Sequence, residues 1–367
     1  MTTDRRWVYR LISEEKPAAA VLLLAGLVGL VAANLLGADG IQHLLHPNLS
    51  GRALDLPWFA ADGLLVVFFF VAGLELRHEF TNGSLTTARE AAVPVVAAAL
   101  GMIVPALIFI ALAPAADRAA WGVPMATDLP LALALVAIAG RGLPLPFRAF
   151  ILSLAIVDDA LSIIVIAVVF GGSISPLWCA ITALLVALYM KVQRRSVAMS
   201  GVVAMTAWAA MLHTGIHATV LGVVLGLLTT RDTDRLRNRW QPFVGLVAVP
   251  LFVATSLAVP LSTADVDGQL IAAVALARVL GKPLGILMGA VLAVRWFSPG
   301  TALRPSAYAA AGCVAALGFS VSMLFAELGL GDPLLAQTKV AIIISMLASG
   351  LVGAIALTGL RRSMTTE

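Results

Sequence analysis

Charged residues are scarce in this chain. Asp, Glu, Lys and Arg together make up 12% of its 367 residues, whereas roughly 25% is usual in soluble globular domains. Hydrophobic residues make up 60% of the chain. Because so few charges cannot cover the surface of a soluble domain, the composition excludes a soluble protein. It predicts an integral membrane protein that crosses the bilayer many times.

Cysteine, tyrosine and side-chain amides are also scarce. The two cysteines, Cys179 and Cys313, lie in apolar segments, so we expect small buried side chains rather than a disulfide framework. With three tyrosines and few amides in its apolar runs, the chain has little with which to recognise an organic solute in a proton-coupled symporter. No basic helix with interleaved aromatic residues is present. We therefore expect neither a nucleic acid partner nor a cofactor.

Twelve apolar runs have about the length that crosses a bilayer. Lys and Arg lie almost entirely before the first run and in the even-numbered loops, while the opposite loops hold only Arg52 and Arg118. By the positive-inside rule, we expect a multi-pass protein of the cytoplasmic membrane with both termini in the cytoplasm. The runs are residues 16–36, 57–80, 91–113, 119–140, 146–170, 175–191, 198–213, 215–229, 242–261, 268–294, 306–328 and 334–360.

One long loop is predicted on the outer side, from Gly37 to Leu56. Gly, Pro, Asn and Asp supply it with residues that favour turns. The sequence leaves three possibilities open for this loop, namely a small hairpin, a contact between subunits, or a plain connector.

Two of the predicted spans are interrupted. The fourth holds two prolines around Asp128 within 124–130, and the eleventh holds Gly312 followed by 318–322, which contains two serines. Irregular backbone at membrane depth is tolerated only where it lines a cavity or is buried in protein. Each interrupted span is the middle one of three, and the two triplets start on opposite sides of the membrane.

This arrangement predicts the architecture. We expect a single all-α membrane domain, residues 1–367, with twelve transmembrane helices and inverted-topology repeats. Spans 3–5 (91–170) and spans 10–12 (268–360) would form the transport bundle. If the discontinuous helices of spans 4 and 11 cross, the crossing brings like dipole ends together. The helices in 16–80 and 175–261 would serve as scaffold or interface.

Two adjacent carboxylates, Asp158 and Asp159, lie in the middle of the apolar run 150–170. A charge at mid-bilayer costs a few kcal/mol, about 3 on insertion scales, so such residues generally mark ion pathways. Close carboxylates repel each other and readily take up a proton, and hard cations prefer oxygen ligands. Competition between a proton and a monovalent cation for these two residues is therefore the leading hypothesis. Structural carboxylates capped by hydroxyl or backbone groups are the alternative.

Three further polar residues fall in the interrupted region or in the tenth span. Thr127 offers oxygen to a cation, while Asp128 either neutralises the positive ends of half-helices or simply caps one of them. Lys282, inside the tenth span, pairs either with one of the two aspartates or with the negative ends of half-helices. Arg278, four residues earlier, belongs to the same network or snorkels towards the end of the span.

Histidines and glutamates near the ends of spans are candidates for a response to pH. Glu75, His78 and Glu79 cluster at the cytoplasmic end of the second span, and His217 lies near the outer side. Histidine titrates near neutrality. A solvated charge cluster and a hydrogen-bonded structural histidine explain these residues equally well.

Several motifs resemble those of the NhaA-type sodium/proton antiporters. They occur in the order typical of that family, and the resemblance runs from about residue 10 to residue 360. The stretches are VAGLELRHEF (71–80), ALGMIVPAL (99–107), MATDLPLAL (125–133), FILSLAIVDDALSIIVIA (150–167), GIHATVLGVVLGL (215–227), GKPLGI (281–286) and GFSVSML (318–324).

The resemblance implies a function and roles for individual residues. Such a protein exchanges Na⁺ or Li⁺ for more than one proton, electrogenically, and is not an enzyme. Asp158 and Asp159 would carry the cation and the protons, with Thr127 beside the cation. Asp128 and Lys282 would balance the half-helix dipoles, Lys282 also bridging Asp158. The resemblance also implies a homodimer that forms through the outer loop, and activation of transport at alkaline pH.

The chain departs from the family pattern in places. The stretch PLFVATSLAV (250–259) lacks the usual Asn-Ala-Gly element, and residues 235–239 are strongly basic where many members carry Glu and His. Pro130 and His78 also differ from the pattern. These departures affect the cytoplasmic surface more than the two aspartates.

An intramembrane aspartyl protease is the alternative from another functional class. Such an enzyme needs two aspartates from different helices that share a water molecule. Adjacent Asp158 and Asp159 do not face each other, although Asp128 and Asp158 could. A lysine counter-charge such as Lys282 argues against a protease, because its dyad shares a proton rather than a salt bridge.

Overall fold

The computed structural model describes residues 5–49, 52–53, 55–83, 85–260, 267–297 and 303–365. Within these ranges the regular structure is helical, apart from a hairpin in which Asn48–Leu49 pairs with Arg52–Ala53 in antiparallel fashion. The predicted all-α class is confirmed. Cys179 and Cys313 are both free.

Fourteen α-helices and one 3₁₀ helix form the described part of the chain. In chain order these are α1 (Arg5–Leu45), α2 (Leu56–Asn82), α3 (Ala88–Leu112), the 3₁₀ helix Ala115–Met125, α4 (Leu129–Ala139), α5 (Leu145–Val169), α6 (Pro176–Val192), α7 (Val197–Met211), α8 (Ala218–Leu228), α9 (Thr233–Phe243), α10 (Val249–Ser256), α11 (Gly268–Phe297), α12 (Pro305–Ala315), α13 (Ser320–Gly329) and α14 (Leu334–Thr365). Single π-helical turns lie within α2 and α11 and between α9 and α10.

Six helical segments in the described ranges are long and apolar enough to cross a membrane, and the count is eight if each broken pair is one span. Helices α6, α7 and α8 are apolar but have 17, 15 and 11 residues, fewer than the roughly 20 that a straight span needs. The ninth predicted span, 242–261, ends at a residue outside the described ranges. The count of twelve spans stays a prediction.

Both predicted interruptions are present. The 3₁₀ helix and α4 are bent by 57° where residues 126–128 leave helical geometry, and α12 and α13 are bent by 57° around residues 316–319. Pro130 in the first turn of α4 favours a helix start there, because its missing N–H has no intrahelical partner at that position. We refer to residues 126–128 and 316–319 as the paired breaks, since their backbones touch: Asp128 N donates to Leu317 O at 2.6 Å.

The predicted outer loop is shorter than expected. Helix α1 bends at Gly37, where φ is 72°, and then continues to Leu45, so the first part of the stretch from Gly37 to Leu56 is helix. A positive φ suits glycine, which has no Cβ to clash. The hairpin then follows, which was one of the three possibilities left open for this loop. Residues 50, 51 and 54 of this loop lie outside the described ones.

Close backbone packing of α3 against α11 positions the residues of the tenth predicted span. A Cβ on Gly289 of α11 would lie 2.7 Å from Cα of Ala97 on α3, and one on Gly285 would lie 3.1 Å from Cα of Gly101. Small residues of this kind let helix backbones approach closely, which is how helices pack within lipid. This contact holds Lys282, two turns before Gly289, over the paired breaks.

We expect Gly289→Val to destabilise the protein by about 1–3 kcal/mol, because the added side chain overpacks the α3–α11 contact. Thermal unfolding of the purified protein, followed by tryptophan fluorescence, measures this. Gly201→Val is the matched control, since no atom lies within 4 Å of a Cβ placed on that exposed helical glycine. Equal unfolding temperatures for the two variants would contradict the packing argument.

Candidate functional site

Asp128 caps two helices at once. Its Oδ1 accepts a hydrogen bond from Leu131 N at the start of α4, at 3.3 Å. Its Oδ2 accepts from the backbone N and the hydroxyl of Ser320 at the start of α13, at 3.0 and 2.5 Å. Helix N-termini carry partial positive charge and unpaired N–H groups. One buried carboxylate therefore satisfies the N-terminal ends of both second half-helices.

Lys282 pairs with Asp158 and not with Asp159. Its Nζ lies 2.9 Å from Oδ2 of Asp158, and it also donates to the carbonyl oxygen of Met125, the last residue of the 3₁₀ helix. The side chains of Lys282 and Asp158 are 0% and 2% exposed. A buried pair of this kind compensates two charges that would each be costly to bury alone.

Asp158 keeps one oxygen atom uncommitted. Oδ2 also accepts a hydrogen bond from the backbone N of Thr127 at 3.0 Å, whereas Oδ1 is buried with no hydrogen-bond partner among the residues that the structure describes. The hydroxyl of Thr127 donates to Ala315 O at 2.8 Å, across the paired breaks. That bond uses the hydroxyl proton and leaves the lone pairs of the oxygen available, so Thr127 can offer oxygen to a cation.

Asp159 faces different surroundings. It lines a cavity of about 30 Å³ together with Glu75, Pro130 and Gln241. Successive helix residues point about 100° apart, which is why two neighbouring carboxylates reach different neighbours. Most of the other lining residues are apolar, and a cavity of this size has room for about one water molecule. The site thus has one carboxylate paired with a lysine and a second carboxylate on a small cavity.

Arg278 is fully buried, so it does not snorkel to the end of its span. Its guanidinium donates to the carbonyl oxygens of Gly318 and Val123 at 2.8 and 2.9 Å, and to the hydroxyls of Ser345 and Ser322 at 2.9 and 2.6 Å. Sequence reasoning left this residue ambiguous. In the sequence, only the four-residue spacing between Arg278 and Lys282 indicated that both side chains reach the region of the two breaks.

Three of the four candidates for a pH response come together. Glu75 and Glu79 are buried, so the interpretation as a solvated charge cluster does not hold for them. His78 Nδ1 lies 3.3 Å from Oδ1 of Asp234 on α9, and the largely buried Arg237 lies 3.9 Å from the same oxygen. These residues link the end of α2 to α9.

His217 lies apart from that cluster. It precedes α8, and its Nδ1 is 3.3 Å from Oδ1 of Asp62. Arg77, beside the cluster, donates to Leu227 O at the other end of α8. An 11-residue helix is about 16 Å long. His217 and Glu75 therefore lie near opposite ends of α8.

The arrangement does not suit a protease dyad. Oδ2 of Asp128 is taken up by Ser320, and Oδ2 of Asp158 by Lys282 and Thr127. Two aspartates whose oxygens accept from separate sets of donors do not share one water or one proton.

The sequence matches a family of known proteins. Residues 9–357 match the sequence profile of the family described as "Na+/H+ antiporter 1". The chain belongs to this family. A protein of Nocardia farcinica named "Na(+)/H(+) antiporter NhaA" is 38% identical over 383 residues, covering 96% of this chain and 91% of the relative. A second relative, "Na(+)/H(+) antiporter NhaA 2" of Rhodococcus jostii, is 38% identical over 91% of this chain and 88% of its own length.

A third relative has a slightly lower sequence identity over a similar share of the chain. The protein of Saccharopolyspora erythraea named "Na(+)/H(+) antiporter NhaA 1" is 36% identical over 94% of this chain and 89% of its own length. The resemblance to this family inferred from the motifs is thus confirmed. No relative named here is an enzyme, and all are named as antiporters.

We expect Asp128→Ala to destabilise the protein by about 2–4 kcal/mol, because it removes the hydrogen bonds that cap both α4 and α13. Thermal unfolding in detergent measures the loss. Ser320→Ala removes one of those bonds and should cost only about 1 kcal/mol. If Ser320→Ala proved as destabilising as Asp128→Ala, the double cap would not be the stabilising feature.

Proposed function

We propose that this protein exports Na⁺ or Li⁺ from the cytoplasm in exchange for external protons, with more than one proton for each cation. The observation that carries the proposal is the buried Lys282–Asp158 pair, next to an unpartnered oxygen of Asp158 and to Asp159 on its cavity. The names of the relatives, all sodium/proton antiporters, support Na⁺ and protons as the exchanged ions.

The exchange rests on competition for one pair of carboxylates. A cation entering by the cavity meets Asp159, then Asp158 Oδ1 and the oxygen of Thr127, and displaces the ammonium of Lys282 from Asp158. Proton uptake by the carboxylates expels the cation, because a protonated carboxyl is a poor ligand for a hard cation. Since the number of protons exceeds the number of cations, each cycle moves net charge across the membrane.

Access to the site alternates by relative movement of two parts of the chain. In this proposal, residues 91–170 and 268–360 are inverted repeats that form one bundle, with the helices in 16–80 and 175–261 as scaffold, and twelve spans keep both termini in the cytoplasm. Two breaks of equal 57° bend, one in each unit, support such a pairing.

Regulation and assembly belong to the same proposal. The cluster of Glu75, His78 and Glu79 lies where α2 meets α9, and Glu75 lines the cavity beside Asp159, so protonation of the cluster would alter entry of the cation. His217, paired with Asp62, would respond to pH at the outer side. The hairpin of Asn48–Leu49 and Arg52–Ala53 offers a contact for a homodimer within the lipid bilayer.

We expect Asp158→Asn and Asp159→Asn each to abolish sodium-driven proton flux, because each removes a ligand for the cation and a proton acceptor. The measurement is the fluorescence of a pH dye in proteoliposomes with an imposed Na⁺ gradient. Asp39→Asn, at an exposed position after the bend in α1, is the matched control and should keep wild-type flux. Wild-type flux in the Asp159→Asn variant would rule out the proposed site.

Competition also predicts how pH affects affinity. As the pH falls, the apparent KM for Na⁺ should rise by about tenfold per pH unit if one proton is displaced, and by up to about 100-fold if two are displaced. The KM rises rather than falls at low pH because protonated carboxylates do not bind the cation. Currents recorded on a solid-supported membrane with Na⁺, Li⁺ and K⁺ across pH provide the test. A KM that does not change with pH would contradict direct competition.

A further inference from the structure

Arg278, which lies outside the motif stretches quoted above, contacts carbonyl groups of both broken spans. Arg278 donates to Val123 O in the last turn of the 3₁₀ helix and to Gly318 O just after α12, at 2.9 and 2.8 Å. Val123 belongs to the last turn of the first half-helix of one broken span, whereas Gly318 lies in the break of the other, three residues beyond the end of α12 at Ala315. One guanidinium therefore binds carbonyl oxygens in both broken spans.

The half-helix charges can be compared with the buried ionic groups. A helix end carries about half an elementary charge, negative at the C-terminus and positive at the N-terminus. The two C-terminal ends together carry about one negative charge, which Arg278 offsets. The two N-terminal ends carry about one positive charge, which Asp128 offsets through Leu131 N and Ser320 N.

Lys282 contacts fewer carbonyl groups of the broken spans than Arg278 does. It reaches one carbonyl, that of Met125, and its ionic partner is Asp158. With the four helix ends already balanced by Arg278 and Asp128, the Lys282–Asp158 pair is neutral by itself. Breaking this pair on cation entry then leaves the charge of the paired breaks compensated.

We propose that Arg278 is the positioning residue that binds the carbonyls of both broken spans and offsets their negative charge, which leaves Lys282 to act as the exchangeable counter-charge of Asp158. The part of this proposal that concerns transport rests on the proposed function, whereas the part that concerns the breaks does not. A planar fork of donors suits Arg278, because it reaches two carbonyls and two hydroxyls at once while keeping its charge.

The π-helical turn Ala277–Gly281 supports this division of roles. It lies between the two cations and contains Arg278, and Lys282 follows it directly. A π-turn changes the direction of the residues that follow it, and such turns are frequent at functional sites. In this chain both side chains reach carbonyls in or directly before the paired breaks, Arg278 at Val123 and Gly318 and Lys282 at Met125.

Other charged residues near Arg278 also influence how exchange depends on pH when Arg278 is replaced. Those within the bundle are Lys282 on the same helix and the three aspartates at and beside the breaks. The further charged residues on Arg278's own helix and on the elements near it are Arg89 and Glu90 on α3, Asp117 and Arg118 on the 3₁₀ helix, Glu327 on α13, Lys339, Arg361 and Arg362 on α14, and Arg295 on α11. Lys339 and Glu327 pair with each other at 3.1 Å, so their charges largely cancel.

Arg278→Gln is the principal test. Losing the positive charge makes the potential at Asp158 and Asp159 more negative, so both hold their protons more tightly. With an effective dielectric constant of about 20, the pH dependence of exchange should shift by about one pH unit towards alkaline values. Thermal stability should fall as well. A role in packing alone would lower the rate and the stability but would not shift the pH profile.

Arg278→Lys keeps the proposal testable if the glutamine variant does not fold. The lysine retains the charge but not the fork, so we expect the wild-type pH profile with a lower unfolding temperature. Arg148→Gln is the matched control, since Arg148 is also buried and donates to a helix-terminal carbonyl, Gly140 O, away from the breaks. It should lose stability with an unchanged pH profile.

A comparison with Lys282→Gln separates the two parts of the proposal. In acidic buffer, where protonation of Asp158 removes the unpaired charge, Lys282→Gln should unfold at nearly the wild-type temperature, and Arg278→Gln should unfold well below it. Equal losses in the two variants, a wild-type pH profile in Arg278→Gln or a shifted profile in Arg278→Lys would each overturn the assignment. A wild-type protein without Na⁺-dependent flux would instead overturn the proposed function, because the unfolding comparison needs no transport.

Discussion

Two broken helices meet inside an apolar protein, and the backbone groups freed at the breaks need partners there. No bulk water is available at that depth, and each unsatisfied amide or carbonyl would cost several kcal/mol, about 2–7 by transfer estimates. Asp128 satisfies the N–H groups of Leu131 and Ser320, while Arg278 and Lys282 satisfy carbonyls at the opposite ends. The breaks and the buried charges are thus each the reason why the other is tolerated.

The surrounding helices hold these groups in place. Glycines at positions 285 and 289 bring α11 against the backbone of α3, which puts both cations over the breaks. Helix α5 brings Asp158 to Lys282 and turns Asp159 towards the cavity. A site built on helices packed this closely has little freedom to adjust locally, so a change of access requires whole elements to move. This is the physical basis for proposing alternating movement of two bundles rather than movement of a single side chain.

Much of this could be inferred from the residues alone. Two prolines around Asp128 and the glycines and serines of 312–322 predicted both breaks, because these residues interrupt or re-satisfy a helical backbone in known ways. The adjacent pair at 158–159 pointed to ion handling because charge inside an apolar run is costly. The continuation of α1 beyond Gly37 was missed, since a glycine before a turn-rich stretch is typical of a helix end and a bent helix has the same pattern. Arg278 was ambiguous for a similar reason, because snorkelling and burial have the same sequence signature.

Composition and local chemistry by themselves determined three properties of this chain. They showed that it is a membrane protein, they located the breaks in its helices, and they identified the charged residues inside its apolar spans. These properties depend on how a residue interacts with lipid or with its own backbone, so sequence is enough to infer them. Only the tertiary structure decided which charges meet. Lys282 pairs with Asp158 and not with Asp159, and Arg278 binds two carbonyls that are 155 and 40 residues away in sequence. Glu75 is buried, and His217 lies near the opposite end of α8. Such pairings depend on which helices pack together, and electrostatic attraction has no sequence period that could reveal them in advance.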